Sequence, residues 1–284
     1  MVKSEKTGLF YAALGTLFFA TTPVFIRWAA PLSSYEIAEG RLLIAFLMVY
    51  GLLFLRHEEF TLRTNALPKF VLFGLITALH FLFYIASLSF TSIAHSLAIV
   101  YTAPIFVTLF SGIFLKEPIP TRKWSGVVIA VIGIGIMVGF QPNFDRRMLI
   151  GDLLALGSAI MFGFYSIMGR SQRERYSLFV YAGTVYGFGA LWLLPVAWMH
   201  RTPAGYTLIP LLSVLMLGIF PLGFGHTLYN AALRRTHATY VNLIATQEVT
   251  GGILLGVLLL GEIPSVNSVI GVIVSLVGIA LVLV

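Results

Sequence analysis

"GIFLKEPIP" (112–120) and "VLLLGEIPS" (257–265) stand 145 residues apart and read as two copies of one turn. Each closes an apolar run with a glutamate, Glu117 in the first and Glu262 in the second. Extending the same offset aligns Tyr84 with Tyr229, Thr91 with Thr236, Leu115 with Leu260, Gly126 with Gly271 and Gly133 with Gly278. Residues 84–139 align without a gap and give twelve identities in 56 positions. The earlier part aligns at an offset of 143, with Phe19 on Phe162 and Arg27 on Arg170. Internal repetition of this kind decides the fold before any single motif does.

The solvent of the repeat follows from composition. Of 284 residues, 58% are hydrophobic and 10% charged, with a mean hydropathy of +0.95. A soluble domain carries about a quarter charged residues, so the chain reads as an all-α integral membrane protein. Ten apolar runs are expected as spans, near 8–28, 35–55, 68–90, 94–115, 122–140, 150–169, 177–199, 208–233, 238–261 and 266–284. They are continuous and long, unlike the alternating strands of a membrane barrel. The first run is too long for a signal-peptide core and is read as a retained span. Ten transmembrane helices then divide into a first five-helix repeat (1–140), a linker (141–149) and a second five-helix repeat (150–284). Five is odd, so the second unit enters the membrane inverted, the arrangement of transporters that alternate access around a midplane site.

Charge orients the bundle. Thirteen lysines and arginines fall at the N-terminus and in loops 2–3, 4–5, 6–7 and 8–9, against four in the other loops. The positive-inside rule places both termini in the cytoplasm, in the inner membrane of the cell. The net charge of +7 does not imply a nucleic-acid partner, because the basic residues are scattered between apolar spans. The partners expected are a small-molecule substrate, protons and the lipid bilayer, with monomer and homodimer both open. With no cysteine, no HExxH, no P-loop and no paired-aspartate motif, no cofactor, metal site or enzymatic centre is expected.

At this point the chain resembles a known family. Ten spans as five plus five, a glutamate ending spans 4 and 9, the glycine-spaced runs "WSGVVIAVIGIGIMV" and "VIGVIVSLVGIALVLV", and Arg41 in "AEGRLLIAF" resemble the drug/metabolite transporter superfamily, EamA type. The resemblance implies a secondary transporter of small metabolites, often an exporter of amino acids or related compounds. It also implies Glu-Pro where this chain has Glu248-Val249: the glutamate is kept and the proline lost.

Polar residues inside the spans mark the candidate site. Thr77, His80, Tyr84, Ser87 and Thr91 are spaced 3, 4, 3 and 4, which lines one helix face. In lipid such a face must turn inward, as a cavity wall or as bonds to neighbouring helices. His80 lies about 16 Å along the helix from Lys69, near the midplane. Glu248 and Gln247 interrupt span 9 beside Gly251 and Gly252, and Pro104 with Tyr101 interrupts the matching part of span 4. Paired weak points in corresponding segments point to a binding site. Pro221 weakens span 8, next to His226 and Asn230, which form an i, i+4 pair. Substrate-binding candidates are therefore Glu248, Gln247, His80, Tyr84, Tyr101, Tyr229, Tyr165 and Arg41. Proton-coupling candidates are Glu248 and His80, and gating candidates are Pro104, Pro221, Gly251 and Gly252. Arg41 either holds a substrate carboxylate, pairs with Glu248 or reaches the outer headgroups. Glu36 and Glu39 are expected to be solvated, and Glu117 and Glu262 to brace their turns. The resulting expectation is alternating access with a proton as candidate coupling ion. The alternatives are an uncoupled facilitator and a channel.

Overall fold

A computed structural model describes residues 3–90, 93–137, 139, 146–251, 254 and 265–284. Among these residues the chain is all helix, with no strand. Six helical stretches are long and apolar enough to cross a membrane: Ser4–Trp28, Ser34–Leu55, Thr64–Ser87, Arg146–Ser171, Leu178–Met199 and Leu208–Leu233. The remaining expected spans are shorter or divided. Span 4 consists of α5 (Ile93–Val100), α6 (Ala103–Phe110) and a π-helical end (Ser111–Leu115). Span 5 is the 17-residue α7 (Thr121–Met137), and the last is α13 (Val266–Leu283). Span 9 begins as α12 (Ala238–Ala245), and its second half, with Gly252 and Glu262, lies largely outside the described residues.

Local chemistry sets the other helix ends. α3 (Ser34–Leu55) starts at Ser33, whose hydroxyl accepts from Glu36 N while Glu36 Oε2 accepts from Ser33 N at 2.9 Å. This reciprocal cap satisfies two otherwise unpaired donors. α9 (Leu178–Met199) starts the same way on Ser177, which accepts from Val180 N at 3.3 Å. Between them, α4 (Leu67–Ser87) packs against α8 (Arg146–Ser171) and α9, and α3 packs along α9. α1 (Lys3–Phe19) packs against α11 (Thr227–Leu233) and α12.

α7 and α13 form the closest pair. A Cβ at Gly133 would sit 2.3 Å from Ser275 N, and one at Gly278 would sit 2.3 Å from Ala130 N. Glycine is required there because backbone meets backbone, the usual way membrane helices gain contact without a hydrophobic drive. The glycine-spaced runs that looked alike in sequence therefore pack on each other.

Both chain ends lie at one end of the bundle. Gly8 packs against Arg235 and Thr236, and Lys123 Nζ donates to Val282 O at 2.7 Å. The opposite end carries Glu36. Its carboxylate also accepts from Thr202 N at 2.9 Å, Thr202 Oγ1 at 2.6 Å and Tyr206 OH at 2.8 Å. Glu36 is thus a fastening between the start of α3 and the loop before α10 (Leu208–Leu217), where the sequence suggested a solvated side chain.

Candidate functional site

Three helices break at one level of the bundle. The first break, at Ala20–Thr21, separates α1 from α2 (Thr22–Trp28), with Pro23 in the first turn of α2. The second, at Tyr101–Thr102, separates α5 from α6 and has Pro104 in the first turn of α6. The third, at Thr246–Gln247, ends α12, and the helix resumes at Glu248. Proline fits a first helical turn because its missing N–H would be unpaired there anyway. Thr102 N donates to Ile99 O at 3.0 Å, and 145 residues on Gln247 N donates to Ile244 O at 3.0 Å. The break at Glu248 therefore forms without proline. Gly251 meets the first break directly, since a Cβ on it would lie 2.7 Å from Ala20 Cβ.

A fourth irregularity faces these breaks. Between α10 and α11 the chain runs as a π-helix, Gly218–His226, with Pro221 inside it. Such wide turns occur often at functional sites. His226, at its end, turns toward the breaks.

The central cavity is lined by Phe19, Thr22, Arg41, His80, Phe81, Tyr84, Val100, Tyr101, Phe162, His226, Ala245 and Glu248. Its open space is about 30 Å³, room for a water or two and not for a metabolite. Arg41 enters from α3 and is 1% exposed, with its guanidinium carbon 4.4 Å from the Phe81 ring centre. Its Nε and Nη1 are buried without hydrogen-bond partners. On the other wall Glu248 has Oε1 buried and unpartnered, while its carboxylate accepts a hydrogen bond from Tyr101. An acidic and a basic side chain therefore line one cavity without a direct ion pair between them.

His80 is held in place. Its Nδ1 donates to Ser158 O at 3.1 Å, and Ser158 Oγ donates to His80 O at 3.0 Å. Its ring stacks on Phe162 with centroids 4.6 Å apart. With Nδ1 engaged, Nε2 is the nitrogen left for a guest. The Tyr84 hydroxyl is buried without a partner, as is Nδ1 of His226.

Five of the expected binding residues thus meet here: Glu248, His80, Tyr84, Tyr101 and Arg41. Three do not line the cavity. Gln247 turns the other way, its amide donating to Ser275 Oγ at 2.9 Å on α13. Tyr229 OH is bound by Ser166 at 2.6 Å and by Asn242 Nδ2 at 3.0 Å, and Tyr165 OH accepts from Asn230 Nδ2 at 2.6 Å. These two tyrosines pack behind the lining rings. The sequence reading missed His226, Phe19 and Phe162 as lining residues. The signals present were the alignment of Phe19 with Phe162 and the unread Pro23. Among the described residues no group of three His, Asp or Glu gathers to hold a metal.

The end of the bundle bearing the termini is closed by an ionic knot. Glu117 pairs with Arg170, and with Arg173 Nη1 at 3.3 Å. Arg170 Nη1 also donates to Leu233 O at 2.9 Å and Thr236 O at 2.5 Å, and His237 Nε2 donates to Glu117 O at 2.7 Å. The knot ties the end of span 4 to α8 and to the loop before α12. Burial pushes the Glu117 carboxyl up, but the Arg170 hydrogen bond and the charges of Arg170, Arg173 and His237 outweigh it and hold it below the usual range. His237 is held below the ordinary histidine range, chiefly by burial.

An all-helical bundle with several membrane-length apolar helices around an internal polar cavity is the architecture of a multi-pass membrane protein. The chain belongs to the EamA-like transporter family, whose model matches residues 6–139 and, separately, 149–284. An uncharacterized transporter from Clostridium kluyveri is 26% identical over 198 residues, 68% of this chain and 64% of that relative's length. The pseudopaline exporter CntI of Pseudomonas aeruginosa is 24% identical over 194 residues, 68% of this chain and 67% of its own. A solved crystal structure superposes with a TM-score of 0.85 at 18% identity, covering 97% of this chain and 96% of that one. The relatives are transporters, and the chain is a membrane transporter of small solutes, not an enzyme.

Proposed function

We propose that the chain is a secondary active transporter that exports small amphoteric metabolites, amino acids or related compounds, across the cytoplasmic membrane by alternating access. In this reading ten spans form two inverted five-helix units, and both termini are cytoplasmic. The separate family matches to the two halves and the helix breaks 145 residues apart support the division. An exporter among the relatives supports the direction.

One observation carries the substrate class. Arg41 and Glu248 are buried on the same narrow cavity, each with polar atoms that nothing in the protein satisfies. A guest carrying a carboxylate and an ammonium supplies both missing partners at once. The carboxylate sits on Arg41 and the ammonium on Glu248, with the ring faces of Phe81 and Phe162 around the body and Tyr84, Tyr101 and His80 orienting it. A proton on Glu248 replaces the ammonium on the empty return, which couples export to the proton gradient. The cavity is too small for such a guest, so loading requires the broken helices to part. The knot at Glu117 and the Glu36 fastening at the other end are the closures that open in turn.

The test is counterflow in proteoliposomes with labelled amino acids. Saturable, stimulated exchange is expected, and it depends on pH through Glu248. Unitary currents from the purified protein would overturn the carrier reading. A Glu248→Gln protein with unchanged rate and pH dependence would remove that residue from the mechanism.

A further inference from the structure

A second cavity lies outside the central site, between α3 and α9. It holds about 560 Å³ and is lined on α3 by Glu39, Leu43, Phe46 and Tyr50, one face of the helix. Gly183 and Gly187 on α9 keep the opposite wall low, and Phe60, Leu62 and Leu67 close the far end. From Glu39 to Tyr50 it runs about 17 Å at 1.5 Å per residue, and Phe60 and Leu62, in the connection after α3, with Leu67 at the start of α4, carry it toward the end of the bundle that bears the termini. It faces outward, as the 61% exposure of Leu191 and 49% of Leu194 show.

Glu39 is the one charged group in this wall, and no hydrogen bond or charged partner reaches it among the described residues. It also lines a third cavity of about 280 Å³, at the end of the bundle opposite the termini, together with Trp198, Arg201 and Tyr206. Leu194 lines both cavities as well, so the two adjoin at Glu39. Arg201 rests on the Trp198 ring, 4.5 Å from its centre, and makes no ion pair among the described residues. Glu36, in the same cavity, is already saturated by Ser33, Thr202 and Tyr206.

We infer that these adjoining cavities bind one phospholipid with a primary ammonium headgroup, an ethanolamine phospholipid, from the leaflet opposite the termini. Its ammonium donates to Glu39, its phosphate pairs with Arg201, and one acyl chain fills the groove between α3 and α9. The pair of unsatisfied charges selects the headgroup. A glycerol headgroup can pair its phosphate with Arg201 but leaves Glu39 without a cation. A choline headgroup has no N–H to donate. A hydrophobic cation would satisfy Glu39 but leave Arg201 unpaired. The chemistry of the groove, nearly all apolar, is that of the bilayer interior. The inference is independent of which solute the central cavity carries.

The test is lipid retention by the full chain. The purified protein is stripped with detergent, exposed to mixed ethanolamine, choline and glycerol phospholipids, and its bound lipid is read by native mass spectrometry. Wild type is expected to keep about one ethanolamine phospholipid per chain. Glu39→Gln and Arg201→Met should each lower that retention at least about tenfold, and Leu191→Trp, which fills the groove, should do the same without altering the charges. Gel filtration confirms that each variant is folded. Equal retention of the glycerol lipid, or unchanged retention by Glu39→Gln, overturns the proposal. So does displacement of the lipid by tetraphenylphosphonium at equal concentration, which would make the groove a site for hydrophobic cations.

Discussion

In the first half of the chain a helix stops at Val100 and resumes at Ala103; in the second, one stops at Ala245 and resumes at Glu248. Each turn is secured by a threonine hydroxyl bonded three residues back, Thr102 to Ile99 O at 2.7 Å and Thr246 to Leu243 O at 2.6 Å. Such local bonds offer the backbone an alternative to the helix. The first copy adds Pro104; the second has Val249, whose N–H donates to Thr246 O at 3.3 Å. The backbone device is present twice, and the carboxylate stands on one copy only. Geometry here is shared between the halves, whereas chemistry belongs to one of them.

The strongest way to break this comparison is to remove the asymmetric charge. Glu248→Gln should lower exchange of a zwitterionic substrate about 100-fold, since losing one partner of a buried charge pair costs about 2–5 kcal/mol and 1.4 kcal/mol is about tenfold. Ala103→Ser, at the matching place, should change it less than about threefold, about 0.6 kcal/mol. Equal losses, measured as initial rates in proteoliposomes, would mean that both copies carry the chemistry.

Crowding the junction comes next. Gly251→Val forces a side chain against Ala20, and overpacking costs about 1–3 kcal/mol. A lower Tm in detergent and a slower exchange are expected together. An unchanged Tm would show that the two breaks do not rest on each other.

Glu117→Gln tests the knot at a smaller scale, about 1 kcal/mol or less for a partly exposed pair. The Glu117 pKa is depressed in the folded protein, so its contribution is present above the ordinary carboxylate range and disappears as pH falls through the depressed value. The Tm gap between wild type and Glu117→Gln should therefore be largest near neutrality and close on acidification. A gap that stays unchanged in acid would assign the loss to packing instead.

The smallest effect is expected from exchanging the prolines. Val249→Pro gives up only the 3.3 Å bond to Thr246, in a first turn that tolerates proline. Pro104→Ala leaves a turn that Val249 shows to be stable without it. Transport by both variants should stay within about threefold of wild type, about 0.6 kcal/mol. A large loss in either would make proline, not threonine, the basis of the break.

Much of this is readable from residue order. The offset of 145 locates both breaks, and the polar face of span 3 puts His80 and Tyr84 on the cavity. Periodicity alone sets His226 on a neighbouring face because it assumes 3.6 residues per turn, whereas Gly218–His226 winds with the wider π turn and rotates the side chains beyond it. Adjacency groups Gln247 with Glu248, but at a turn successive side chains diverge, and its amide is held by Ser275. Tyr165 and Tyr229 look like wall residues in any sequence. Their hydroxyls are bound by Asn230, Asn242 and Ser166, partners whose proximity is fixed only by packing. The first break is easily passed over because Pro23 lies near the end of an otherwise apolar run. Hydropathy predicts continuous spans where the chain divides, because it averages over a two-residue turn.

The size of the central cavity bears on the cell as well as on the substrate. A space of about 30 Å³ holds no continuous file of water, so an idle copy is no conductor for protons hopping between waters. A membrane crowded with resting copies is therefore not short-circuited through this cavity.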